Sequence, residues 1–101
     1  MSDLPVACTL PEGELAARAD FFGEIAGRAL ERRELEDGYA LRFAPEPGLV
    51  PELAGLIEQE RVCCAFLRFR LAVEPGGGPV WLELTGPAGA REFLAGVLLP
   101  A

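Results

Sequence analysis

Apolar residues recur at helical spacing in three stretches of this chain and at strand spacing in three. In the first stretch Leu15, Phe22, Ile25, Ala26 and Ala29 share one face, predicting a helix over roughly 10–28. Thr9 and Glu12 fit a capping box at its start, and Pro11 occupies the first turn, where its missing N–H costs nothing. Residues 30–36 are highly charged and read as an exposed strand. The reason lies just beyond them: Asp37-Gly38 is a hairpin signal, and Tyr39, Leu41 and Phe43 alternate behind it. Prolines and a glycine make 44–48 a loop. A second helix begins near Pro51 and turns Leu53, Leu56, Ile57 and Glu60 inward, a line that Cys64 continues. Residues 66–74 read as a strand with Leu67, Phe69, Leu71 and Val73 on one face and Arg68, Arg70 and Glu74 on the other. The loop 75–79 leads into a strand over 80–85, with Val80, Leu82 and Leu84 inward. Gly86-Pro87 starts a third helix, whose buried face is Ala90, Phe93, Leu94, Val97 and Leu98 and which Pro100 ends.

Strand, turn, strand and helix thus occur twice, over about 30–62 and about 66–98, as a repeat of pattern rather than of identity. The expected architecture is a single α+β domain over 1–101, in the order α-ββα-ββα. It is a two-layer sandwich: a four-stranded, largely antiparallel sheet with three helices on one face. The opposite face carries Arg42, Arg68, Arg70, Trp81 and Glu83. An exposed tryptophan among arginines points to a homodimer through this face; the alternative is a partly covered tryptophan in a monomer.

Composition narrows the chemistry. With 101 residues and 50% apolar composition the chain is globular. No apolar run is long enough to span a bilayer, and the N-terminus carries neither a positive charge nor a long apolar core, so the expectation is a cytoplasmic protein. A net charge of −7 argues against nucleic acid and against anionic membrane surfaces as partners. Histidine is absent, which excludes a Cys-His dyad, a catalytic triad and any imidazole ligand.

Three cysteines remain. In a reducing compartment they are thiols, metal ligands or redox groups. Cys63 and Cys64 are adjacent near the end of the second helix, where the dipole opposes thiolate, unlike a C-x-x-C pair at a helix start. Adjacent side chains diverge on a regular element, so sharing one ion needs irregular backbone, such as the turn expected here. Cys8, just before the first helix, supplies a third sulfur. Two or three sulfurs without imidazole suit a soft metal or metalloid ion: mercury(II), arsenic(III), copper(I) or cadmium. Zinc would want a fourth ligand, and Glu60 is the local candidate. Against this stand plain structural roles: cysteine packs as a small apolar group, and an inward Glu60 can form an ion pair with Arg61, Arg68 or an arginine of the first helix.

Cys8-Thr9-Leu10, Glu60-Arg61-x-Cys63-Cys64-x-Phe66-Leu67-x-Phe69 and Leu84-Thr85-Gly86-Pro87 together resemble a family of small uncharacterised bacterial proteins, some associated with mercury or arsenic resistance. Proline is common in that family where this chain has Ala65, a departure that loosens the turn beside the thiols. The resemblance implies that Cys8, Glu60, Cys63 and Cys64 belong together; it carries no catalytic assignment. Three functions follow as expectations. The first is binding of a soft ion by Cys63, Cys64 and Cys8, with Glu60 and Arg61 as an orienting pair. The second is a thiol redox enzyme or sensor with Cys8 as resolving thiol. The third is a non-catalytic interaction domain using the Trp81 face. The second and third need no cofactor. The first turns on whether the Cys8 sulfur comes within about 4 Å of Cys63 or Cys64.

Overall fold

A computed structural model describes residues 22–98. Expectations for the first helix before Phe22, for Cys8, and for Pro100 lie outside these residues. The described part of the first helix, α1, is 22–26. It is followed by the strands β1 (Glu31–Leu35) and β2 (Gly38–Phe43), helix α2 (Leu49–Cys63), strands β3 (Arg68–Val73) and β4 (Val80–Thr85), and helix α3 (Ala90–Leu98). The four strands form one antiparallel sheet in the order β1-β2-β4-β3. This is the expected α+β arrangement.

The register explains the alternation seen in the sequence. Tyr39, Leu41 and Phe43 on β2 stand opposite Leu84, Leu82 and Val80 on β4, so all six point to one face and are buried there. Phe22, Ile25 and Ala26 of α1, Leu53 and Leu56 of α2 and Leu94 of α3 complete this core. Each fully buried leucine contributes about 2 kcal/mol of transfer free energy. Arg32, on the same face of β1 but at the sheet edge, donates from Nη2 to the Ala26 carbonyl at 3.3 Å. It thereby satisfies an acceptor at the C-terminal end of α1, where cations are favoured.

Four local expectations give way. The first hairpin turns on Glu36 and Asp37, with Gly38 already paired to Leu35. Gly38 is there for space: a Cβ would lie 1.8 Å from the Leu84 carbonyl oxygen, so no side chain fits. Helix α3 starts at Ala90 instead of Pro87, because Pro87 to Gly89 form a turn closed by the Ala90 N–H on the Pro87 carbonyl at 2.9 Å. Residue 66 is not in β3, which starts at Arg68; Phe66 lies in a turn and is buried, its ring edge-on to Phe93 at 5.2 Å between centroids. Helix α2 starts at Leu49, two residues ahead of Pro51; proline is harmless there because the first N–H groups of a helix lack intrahelical partners.

The repeat of pattern is a repeat of structure. Leu41 and Leu82 face each other at the centre of the sheet, and they stand 41 residues apart. The same offset of 41 relates Gly48 to Gly89, the left-handed residues at φ 83° and 95° that precede α2 and α3. It also relates Leu53 to Leu94, the central buried leucine of each helix, and Gly55 to Gly96. The offset thus runs through the central strand and the helix of each ββα unit, while the edge strands are related by an offset of 39, Arg32 opposite Leu41 answering to Leu71 opposite Leu82.

The outer face of the sheet is partly closed by its own side chains. Arg33 lays its guanidinium over the Trp81 ring, 4.8 Å from the centroid, and also contacts Glu31 at 2.9 Å. Arg42 holds the other Glu31 oxygen at 3.0 Å. Trp81 is consequently half-buried rather than exposed.

Candidate functional site

Helix α2 delivers Glu60 and the two adjacent cysteines to its C-terminal end. Leu53, Leu56 and Glu60 are all buried, as i, i+3 and i+7 spacing requires. Cys63 is the last helical residue. Cys64 leaves the helix at φ −117°, ψ 70°, yet its N–H still donates to the Glu60 carbonyl at 2.6 Å. The Leu67 N–H then bonds the Cys64 carbonyl at 3.0 Å, closing a turn over 64–67 that hands the chain to β3. The pair of cysteines thus straddles a change of backbone conformation, one residue on each side.

Cys64 is 4% exposed and sits in a small apolar cluster with Phe66 and Ala90, backed by Leu67 and Phe93. The start of α3 forms one wall of this cluster. Gly86 makes the close approach possible: a Cβ there would come within 2.8 Å of the Ala90 Cβ and 3.2 Å of the Phe66 carbonyl oxygen. Two sequence motifs far apart in the chain, Cys63-Cys64-Ala65-Phe66 and Leu84-Thr85-Gly86-Pro87, therefore meet here.

Glu60 is the one buried charged side chain of the described core, at 3% exposure. Cys64 Sγ donates to its Oε1 at 3.8 Å, a long contact consistent with the weak donor strength of a thiol. Arg61 does not complete an ion pair with Glu60. It turns outward, with Nη1 on Glu58 Oε1 at 3.1 Å between two exposed side chains, because neighbours on a helix diverge by about 100°. Arg68 projects from the outer face of the sheet, opposite Thr85.

The structure thus brings Glu60 and Cys64 into contact and sets Cys63 next to them in the chain. Cys8 lies outside the described residues. Among those residues no group of three or more cysteine, aspartate or glutamate side chains is arranged to hold a metal ion. Sequence reasoning did not single out Phe66 and Phe93 as walls of the thiol's surroundings; their pairing spans two elements and leaves no local signal. No described helix is long and apolar enough to cross a membrane. Comparison with protein families, curated proteins and solved structures finds no match to this chain.

Proposed function

We infer that the chain captures a soft metal or metalloid ion through the thiols of Cys63 and Cys64, with Cys8 as a third sulfur and the ion as cargo. The observation that carries this reading is the backbone break at Cys64, beside the buried Cys64–Glu60 contact. On a regular helix two adjacent thiols diverge. A residue that leaves the helical conformation between them and the following strand is what two neighbours need to turn towards one ion. Sulfur ligands in the absence of histidine select soft ions.

Burial weighs between this reading and the thiol redox alternative. A thiol held among apolar side chains is disfavoured as thiolate and therefore weak as a nucleophile. An incoming soft ion replaces the thiol proton, which passes to solvent, and the sulfur–metal bond formed offsets the cost of deprotonating a buried thiol. Glu60 serves here as a positioning group, holding the Cys64 sulfhydryl towards the end of α2.

The test is a titration of the full-length reduced protein with mercury(II), arsenite, copper(I) and zinc. Replacing both thiols, Cys63→Ser with Cys64→Ser, should weaken binding of the preferred ion by about 100-fold or more. Unchanged affinity in that double variant, with its circular dichroism intact, ends the proposal.

A further inference from the structure

The two edges of the sheet are built differently, and among the described residues no strand pairs with the outer side of β3. On β1, the residues facing the helix layer are Arg32 and Glu34. Both are occupied: Arg32 on the Ala26 carbonyl at 3.3 Å and Glu34 on Arg91 at 3.5 Å. Charges that point inward along an edge are a known protection against further strand pairing. On β3, the equivalent residues are Leu71 and Val73. Leu71 is half-buried and Val73 is 59% exposed. Beside them, between α2 and β3, lies an open depression of about 470 Å³ lined by Ile57, Arg61, Ala65, Leu67 and Phe69. The outer face of β3 carries Arg68 and Arg70, both exposed. Among the described residues neither has an ion-pair partner.

We propose that the β3 edge takes up an extended segment of a partner protein whose side chains alternate between apolar and acidic. Such a segment would add a fifth strand beside β3, its backbone pairing with the outward N–H and carbonyl groups of Arg68–Val73. Side chains alternate along a strand. Its acidic residues then stand next to Arg68 and Arg70, and its apolar residues cover Leu71, Val73 and the neighbouring depression. A second copy of this chain fits the edge poorly. Glu74 is the one acidic residue that antiparallel pairing of β3 with β3 can set opposite Arg68 or Arg70, so it matches one arginine per strand where the proposed segment matches both, and pairing β3 with β1 lays Arg32 and Glu34 against the apolar row.

The probe is an acetylated, amidated hexapeptide of alternating valine and glutamate, added to the full-length chain and followed by amide hydrogen exchange and fluorescence anisotropy. Exchange should slow at alternate residues between Arg68 and Val73, with binding in the sub-millimolar range. The double substitution Arg68→Glu, Arg70→Glu should weaken binding at least about tenfold, while Arg33→Gln, which lies on the outer face away from this edge, should leave it unchanged. A valine–lysine peptide, and the valine–glutamate peptide with a central proline, should bind at least about tenfold more weakly. Any of four results overturns the proposal: no binding at about 1 mM peptide; equal affinity for the lysine peptide; protection appearing at β1; or β3 amides already protected without peptide, by residues 1–21 or by a second copy seen in sedimentation. The outcome is independent of the thiols, which Cys63→Ser with Cys64→Ser removes.

Discussion

The two ββα units share a scaffold and differ in what they do with it. At an offset of 41 residues, Leu41, Gly48, Leu53 and Gly55 of the first unit correspond to Leu82, Gly89, Leu94 and Gly96 of the second. These positions set the centre of the sheet, the start of each helix and the middle of each helix. The differences lie at the periphery. The first unit has a two-residue turn, a charged and self-satisfied edge strand, and a 15-residue helix that ends in the cysteine pair. The second has a six-residue loop over Glu74–Pro79, an apolar edge strand and a helix of nine described residues. A repeated ββα unit keeps these central positions and leaves edges and helix ends free to diverge. In this chain, both features of functional interest lie in those divergent parts.

The largest expected effect breaks the equivalence. Gly38 has no room for a Cβ, whereas its counterpart Pro79 lies in the loop that precedes β4. Gly38→Ala should cost about 3 kcal/mol or more, since backbone rather than a flexible side chain blocks it. Pro79→Ala should cost under about 1 kcal/mol. Urea denaturation of both variants checks this, and similar costs would mean that the two hairpins tolerate change alike. A smaller effect should restore the equivalence. Gly55 and Gly96 occupy matching exposed helix positions where an added Cβ meets nothing within 4 Å. Gly55→Ala and Gly96→Ala should each stabilise by about 0.8 kcal/mol; a gain in one helix and a loss in the other would show that the match stops at the backbone.

The smallest effect concerns the charged edge. Hydrogen bonds from Arg33 and then Arg42 hold the Glu31 carboxyl below its ordinary value of 4.5. A depressed folded-state value gives a contribution that is fully present above pH 4.5 and is lost as pH falls through the lowered value. Glu31 is exposed, so the contribution is small. An NMR titration should place its midpoint below 4.5, and Arg33→Gln should move it upward. Edge strand β3 carries no carboxylate to compare.

Much of this was legible in the sequence because it depends on local periodicity. Alternation at Tyr39, Leu41 and Phe43, and at Val80, Leu82 and Leu84, fixed the inward face of the sheet. Spacing of four put Glu60 and Cys64 on one line, and they are in contact. What was not legible depends on contacts between distant segments. Gly38 looked like a turn residue, since nothing nearby reveals that Leu84 passes against it. Phe66 looked like the start of a strand, since its partner Phe93 lies on another helix. Arg61 looked like the partner of Glu60, since adjacency in sequence hides divergence on a helix. Trp81 could be read as exposed or as partly covered, since nothing near it in sequence shows that Arg33 reaches it across the sheet from β1.

The strand order also has a kinetic side. Each hairpin closes over a short loop, whereas β2 meets β4 only by joining residues 41 apart. Loop-closure entropy grows slowly, so this junction costs only about 1.5–2 kcal/mol more than a six-residue loop. The topology therefore predicts two quickly formed hairpins whose docking, at Leu41 on Leu82, is the slow and committing event. Truncating either leucine should slow folding more than it speeds unfolding; φ-values near zero at both would reverse that order of events.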